Sequence, residues 1–179
     1  MKLKYFSHSA FQITTESGKI ILIDPFITGN PTATLKTEDI NADYIILTHA
    51  HGDHIGDAFE IAKRCDSLII AVNELANYAI RKGLKAHNMH IGGSYNFDFG
   101  KVKFTIAHHG SLTPDGNYGG EPAGVIVTAD GKSVYHTGDT GLFYDMKLIG
   151  KMDKINYMLL PIGDNFTMGI TDAVKAVEL

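Results

Sequence analysis

The chain has 179 residues, 44% hydrophobic and 20% charged, with a net charge of -4. That balance fits one globular domain with a sizeable buried core and excludes a disordered or collagen-like chain. The sequence has no long basic run, no apolar stretch of membrane-spanning length and no signal-peptide pattern, so neither nucleic acid nor a membrane is an expected partner. The single cysteine, Cys65, cannot close an internal disulfide, which points to a reducing cytoplasm.

Residues 2–6 and 10–15 read as strands, joined through Phe6-Ser7-His8-Ser9-Ala10. Ser17-Gly18 is a turn signal. Within residues 19–24, Ile20-Ile21-Leu22-Ile23 is a continuous apolar run ended by Asp24-Pro25, the pattern of a strand buried on both faces. Residues 28–37, rich in Thr, Asn and Pro, read as loop. Residues 44–47 form another buried strand. Residues 55–65 place Ile55, Ala58, Phe59 and Ala62 at helical spacing, with Asp53 as the expected N-cap. Residues 68–72 are strand-like, and residues 74–82 predict a helix stopped by Gly83.

Further along, residues 97–106 predict two strand arms turning at Gly100-Lys101. Residues 125–129 and 133–136 flank Asp130-Gly131, the strongest hairpin signal in the chain. Residues 142–149 predict a short helix, residues 155–160 a buried strand stopped by Pro161, and Thr171 the N-cap of a final helix. Strands with helices between and after them give an α/β layered domain without linker or repeat. The last helix reaches Leu179 with no C-cap and no closing strand, so residues 1–179 are expected to form a single domain that is incomplete at its C-terminal end.

The chemistry-bearing residues gather at strand ends. His49-Ala50-His51-Gly52-Asp53-His54 directly follows a buried strand. Alternate residues at a strand end point the same way, so His49 and His51 can converge on one ion. The turn into the helix swings Asp53 and His54 to the neighbouring side, and one loop can thereby serve two ions about 3.5–4 Å apart. Imidazole and carboxylate ligands suit Zn, Mn or Fe. Two other strand ends carry ligand types: His108-His109-Gly110 after residues 102–107, and Gly138-Asp139-Thr140 after residues 133–136. Taken singly they are weak signals, since a strand-end histidine is commonly a hydrogen-bonded surface residue and a Gly-Asp pair a turn.

These residues, in this order and each after a strand, resemble the metallo-β-lactamase superfamily. Within it the sequence is most similar to the metal-dependent hydrolases akin to ascorbate-6-phosphate lactonase. The likeness also runs through Ile23-Asp24-Pro25-Phe26-Ile27-Thr28-Gly29-Asn30, Met89-His90-Ile91-Gly92-Gly93, Phe97-Asp98-Phe99-Gly100 and Leu160-Pro161-Ile162-Gly163-Asp164-Asn165-Phe166-Thr167-Met168. It implies an α/β fold, the four-layer αββα sandwich, here lacking its last strand or strands.

The resemblance also implies two divalent metal ions, Zn or Mn before Fe. His49, His51 and His109 would hold the first, Asp53 and His54 the second, and Asp139 would bridge them. His109 is chosen over His108 because the family's histidine directly precedes a Gly-Ser pair, here Gly110-Ser111. Asp53, Asp139 and His109 are the residues expected to act at the reacting centre, with Asp24 and Asp164 supporting ligands from behind. One departure is that the family's late Met-His-Tyr segment, which supplies a last histidine ligand, has no counterpart here. The expectation is a truncated chain, or a group supplied by another chain, with an exposed sheet edge at which two copies could pair as a homo-oligomer.

The implied reaction is attack by a metal-bound hydroxide on a lactone, phosphoester or related ester. Two dications, two carboxylates and a hydroxide sum formally to about +1, which favours a small anionic substrate. The alternatives are a metal-site oxidoreductase or dioxygenase of the same fold, or a catalytically impaired chain. Flavodiiron relatives carry glutamate where this chain has His51, and nuclease relatives carry an inserted domain for which there is no room. Of the other histidines, His8 reads as a capped turn residue, His136 as packing behind Asp139, and His87 as solvated. His90 reads as either a substrate contact or a turn. Residues 110–124 read as either a binding wall or a flexible loop.

Overall fold

The computed structural model describes all residues, Met1–Leu179, as two compact units: residues 1–90 with 111–120, and residues 91–110 with 121–179. The first unit carries six strands side by side in chain order: β1 (Lys2–Ser7), β2 (Ala10–Thr14), β3 (Ile20–Ile23), β4 (Tyr44–Ile46), β5 (Leu68–Val72) and β6 (Ala86–Met89). β1, β2 and β3 pair antiparallel, and β3 to β6 pair parallel. Parallel neighbours need long crossovers. The chain supplies these with a loop holding a 3-10 turn at Thr37–Asp39, then with α1 (Gly52–Ile55) and α2 (Ala58–Cys65), then with α3 (Asn73–Arg81).

Strands covered on both faces need apolar residues on both. Ile21, Leu22, Ile23, Ile45, Ile46, Ile69, Ile70 and Ala71 are accordingly all fully buried. Each buried Ile or Leu contributes roughly 1.5–3 kcal/mol, so these central strands are the core that fixes the position of whatever follows them. α3 packs on β5 and β6, burying Leu75, Ala76, Tyr78 and Ala79.

Strand register decides which loops meet. Phe11 pairs with Ile23, Ile23 with Ile46, and Ile46 with Ile70. The turn before β2 and the C-terminal ends of β3, β4 and β5 therefore lie at one end of this sheet.

The second unit carries β7 (Ser94–Phe97), β8 (Gly100–Ile106), β9 (Ala123–Ala129), β10 (Lys132–His136) and β11 (Tyr157–Leu159), in the order β11-β10-β9-β8-β7. The hairpins are antiparallel, while β10 and β11 are parallel and joined through α4 (Met146–Met152). α5 (Ile170–Glu178) follows, and Phe143, Met146, Met168, Ala173 and Ala176 form a buried cluster. Ile106 pairs with Ala123 and His136 with Val125, so β8 and β10 end together beside the start of β9. No helix is long and apolar enough to cross a membrane.

Several local expectations are corrected. Asp53 does not cap a long helix: it lies inside α1, whose N-cap is His51, and α2 begins separately behind Asp57. Gly56 separates the two helices with φ +43, seated on the Pro25-Phe26 backbone. The hairpin in residues 97–106 turns at Asp98-Phe99, because Phe97 pairs with Gly100. Gly100 is needed instead where its backbone lies against Thr128. The helix foreseen at residues 142–149 starts at Met146, and the last helix starts at Ile170 behind Gly169 rather than at Thr171. The strand foreseen as buried at residues 155–160 is the edge strand β11, with Tyr157 45% exposed. The edge strand β6, Ala86-His87-Asn88-Met89, carries too little apolar pattern to be read from sequence.

Candidate metal centre

In the first unit the residues beyond β3 and β4 meet across the parallel pair. Asp24 leaves β3 with φ +45, its backbone N–H donating to Ile46 O at 3.1 Å. That places its carboxylate beside Thr48, just beyond β4. Asp24 Oδ1 accepts the Thr48 backbone N–H at 2.9 Å, and Oδ2 accepts the Thr48 hydroxyl at 2.6 Å and His54 Nδ1 at 2.8 Å. Asp24, Thr48, His49 and His54 are all fully buried.

This network fixes the histidine tautomers. Thr48 has one hydroxyl proton, and it goes to Asp24. Its oxygen, 3.0 Å from His49 Nδ1, must then accept from that nitrogen. His54 likewise donates its Nδ1–H to the Asp24 carboxylate. In the neutral ring each Nε2 is then the lone-pair nitrogen, the form in which imidazole binds a metal. His49 Nε2 lies 3.1 Å from His51 Nδ1. Two nitrogens held at about 2.0–2.1 Å on one tetrahedral ion stand roughly 3.3 Å apart, so the spacing fits a shared cation.

Asp53 points outward from α1, its side chain 49% exposed, with Oδ2 3.5 Å from His8 Nε2. The segment 111–120 lies against the histidine run. The Ala50 N–H donates to Ser111 Oγ at 3.2 Å, and a Cβ on Gly119 would collide with Ala50 Cβ. This part of the glycine-rich loop therefore packs beside the histidine run.

In the second unit, β8 and β10 end together. Thr140 Oγ1 accepts the His108 backbone N–H at 2.9 Å, and His136 Nδ1 accepts the Gly138 N–H at 3.0 Å. These bonds carry His109 to Asp139, Nε2 to Oδ2 at 3.7 Å, with both side chains largely buried. His108 instead stacks on Phe143, 5.0 Å between ring centroids. Asp164 is exposed at φ +59, and its bonds close its own turn. It exchanges backbone hydrogen bonds with Met168 and Thr167, and its Oδ1 accepts the Asn165 N–H. Nothing there brings it to His109 or Asp139.

Sequence reasoning missed Thr48 and set His8 aside. A polar residue closing an apolar strand run, level with an aspartate at the end of the preceding strand, was the available signal for Thr48.

A profile of the beta-lactamase superfamily domain matches residues 19–179. A UPF0173 metal-dependent hydrolase of Bacillus cereus is 54% identical over 183 aligned residues, which cover 99% of this chain and 80% of the relative. The chain belongs to the UPF0173 metal-dependent hydrolases. A further UPF0173 relative, from Anoxybacillus flavithermus, is 56% identical over 182 residues, again covering 99% of this chain and 80% of its own length. Among solved structures, Igni18, a metallo hydrolase from Ignicoccus hospitalis, matches with a TM-score of 0.88 and 40% identity, over 97% of this chain and 76% of that one. The UPF0173 likeness thus runs through every strand end described above, on a two-sheet α/β fold of the metallo-β-lactamase type.

Proposed function

We propose that this UPF0173 chain is a hydrolase of small anionic esters, a lactone or phosphoester, working with two divalent ions, zinc or manganese. His49, His51 and His109 would hold the first ion, Asp53 and His54 the second, and Asp139 would serve both. Bound ions of this kind supply Lewis acidity and an activated water. Asp24 holds His54 in its metal-binding tautomer and, through Thr48, does the same for His49. Loss of either acceptor would let a ring turn or take the wrong proton.

The observation that carries this reading is the proton arrangement around Asp24 and Thr48. It leaves two buried imidazoles with Nε2 lone pairs, one of them 3.1 Å from a third imidazole. A purely structural network has no need to align ring nitrogens in this way. Asp53 and Asp139 as the only carboxylates among the ligands leave the site formally positive, which favours a substrate that is, or becomes, anionic.

The test is a panel of lactones and phosphoesters assayed with the metal-loaded chain and its His51→Ala and Asp139→Ala variants. Both variants are expected to lose turnover and bound metal together. Full turnover by either would sink the proposal.

A further inference from the structure

We propose that His8 is a further protein ligand of the ion assigned to Asp53 and His54, an inference that rests on the dinuclear reading above. His8 comes from the turn between β1 and β2, outside the histidine run. The antiparallel pairing of β2 with β3 brings that turn to the end of the sheet where Asp24 and His54 sit. His8 Nε2 is 3.5 Å from Asp53 Oδ2, and the ligand atoms of His8, Asp53 and His54 all lie within 4.8 Å of one another. Ligands at about 2.0–2.2 Å on a tetrahedral ion stand roughly 3.3–3.6 Å apart, so modest side-chain rotations suffice for one cation to take all three.

The turn is built to present this ring. Ser7 and His8 both have left-handed backbone, φ +97 and +54, although neither is glycine. Such conformations are strained for non-glycine residues and persist only where the surroundings hold them. Here the Ser7 hydroxyl is tied to that of Thr32. The His8 ring stands edge-on to Phe26 at 5.5 Å and to His54 at 5.5 Å, which fixes its direction toward the ligands. An ordinary hairpin turn would use Asn or Gly at these positions. His8 is 37% exposed and Asp53 49%, so an ion held by them would lie on the solvent-facing side of the histidine run.

The test is a Co2+ titration of the full chain, followed by visible absorption and equilibrium dialysis, on the wild type, Asp53→Asn and His8→Asn. Asparagine accepts left-handed backbone, so His8→Asn removes the imidazole and keeps the turn. An unchanged urea midpoint verifies this, and His8→Gly replaces it if the midpoint falls. The cobalt equivalent weakened by Asp53→Asn is expected to weaken by more than about 100-fold in the His8 variant, with loss of the same absorption band; loss of an outer support alone costs about 10–100-fold. The equivalent sensitive to His49→Ala should be unmoved. If Asp53→Asn weakens an equivalent and His8→Asn leaves both its affinity and its band unchanged, the inference about His8 falls alone. If the wild type binds no cobalt, or Asp53→Asn weakens none, the dinuclear reading falls and His8 with it.

Discussion

Asp24 Oδ2 receives the Nδ1–H of His54 at 2.8 Å, with both side chains fully buried. The same carboxylate takes two further hydrogen bonds from Thr48, so three donors depend on one acceptor group. In Asp24→Asn, the amide keeps one acceptor oxygen and turns a donor toward donors. The buried mismatch should cost about 1–3 kcal/mol of stability. Metal affinity should fall about 10–100-fold, because a neutral amide that no longer satisfies all three donors holds His54, and through Thr48 His49, less firmly in the binding tautomer. Isothermal titration with Zn2+ checks this, and an unchanged affinity would show that the network is structural only.

Gly56 separates α1 from α2 with its Cα seated on the preceding loop. A Cβ there would come within 2.5 Å of Phe26 Cα and 2.7 Å of Pro25 O, and φ is +43. Backbone atoms cannot yield as a flexible side chain can. Gly56→Ala is therefore expected to destabilise the fold by about 3 kcal/mol or more. Its strain falls next to Asp24, so metal affinity should drop too. Urea unfolding with and without metal measures both, and a variant as stable as the wild type contradicts the packing described.

Tyr135 is buried in the second unit, its hydroxyl accepting from Thr105 Oγ1 at 3.2 Å. Burial pushes its pKa up to about 12, with the Thr105 hydrogen bond pulling weakly the other way. Below pH 10 folded and unfolded chains both hold the proton, and this contribution to stability is complete. Between pH 10 and about 12 the unfolded chain loses the proton while the folded chain keeps it, so stability falls, by about 3 kcal/mol in all. Urea midpoints at pH 9 and 11.5 should therefore fall further in the wild type than in Tyr135→Phe. Equal falls would contradict it.

The parts of the fold legible in the sequence are those that burial imposes on both faces of a strand. β3, β4 and β5 announce themselves as apolar runs because nothing polar is tolerated there. β6 and β11 stand at sheet edges, where the constraint relaxes, so β6 carries no apolar strand pattern and the apolar residues of β11 do not distinguish edge from core. The ligand-type cluster was legible because four donors in six residues is dense enough to stand without context. Thr48 and His8 were not, because their placement comes from pairing. Thr48 meets Asp24 across 24 residues through the parallel register of β3 and β4, and His8 reaches Asp53 through the antiparallel register of β2 and β3. Neither register can be read from local composition.

The central claim, a dinuclear centre on His49, His51, Asp53, His54, His109 and Asp139, is tested most directly by elemental analysis of the chain purified without chelator or added metal. The account predicts two zinc or manganese ions per chain, falling to one or none in His51→Ala. A wild-type chain that carries no metal, and takes up none when Zn2+ or Mn2+ is supplied, would contradict it.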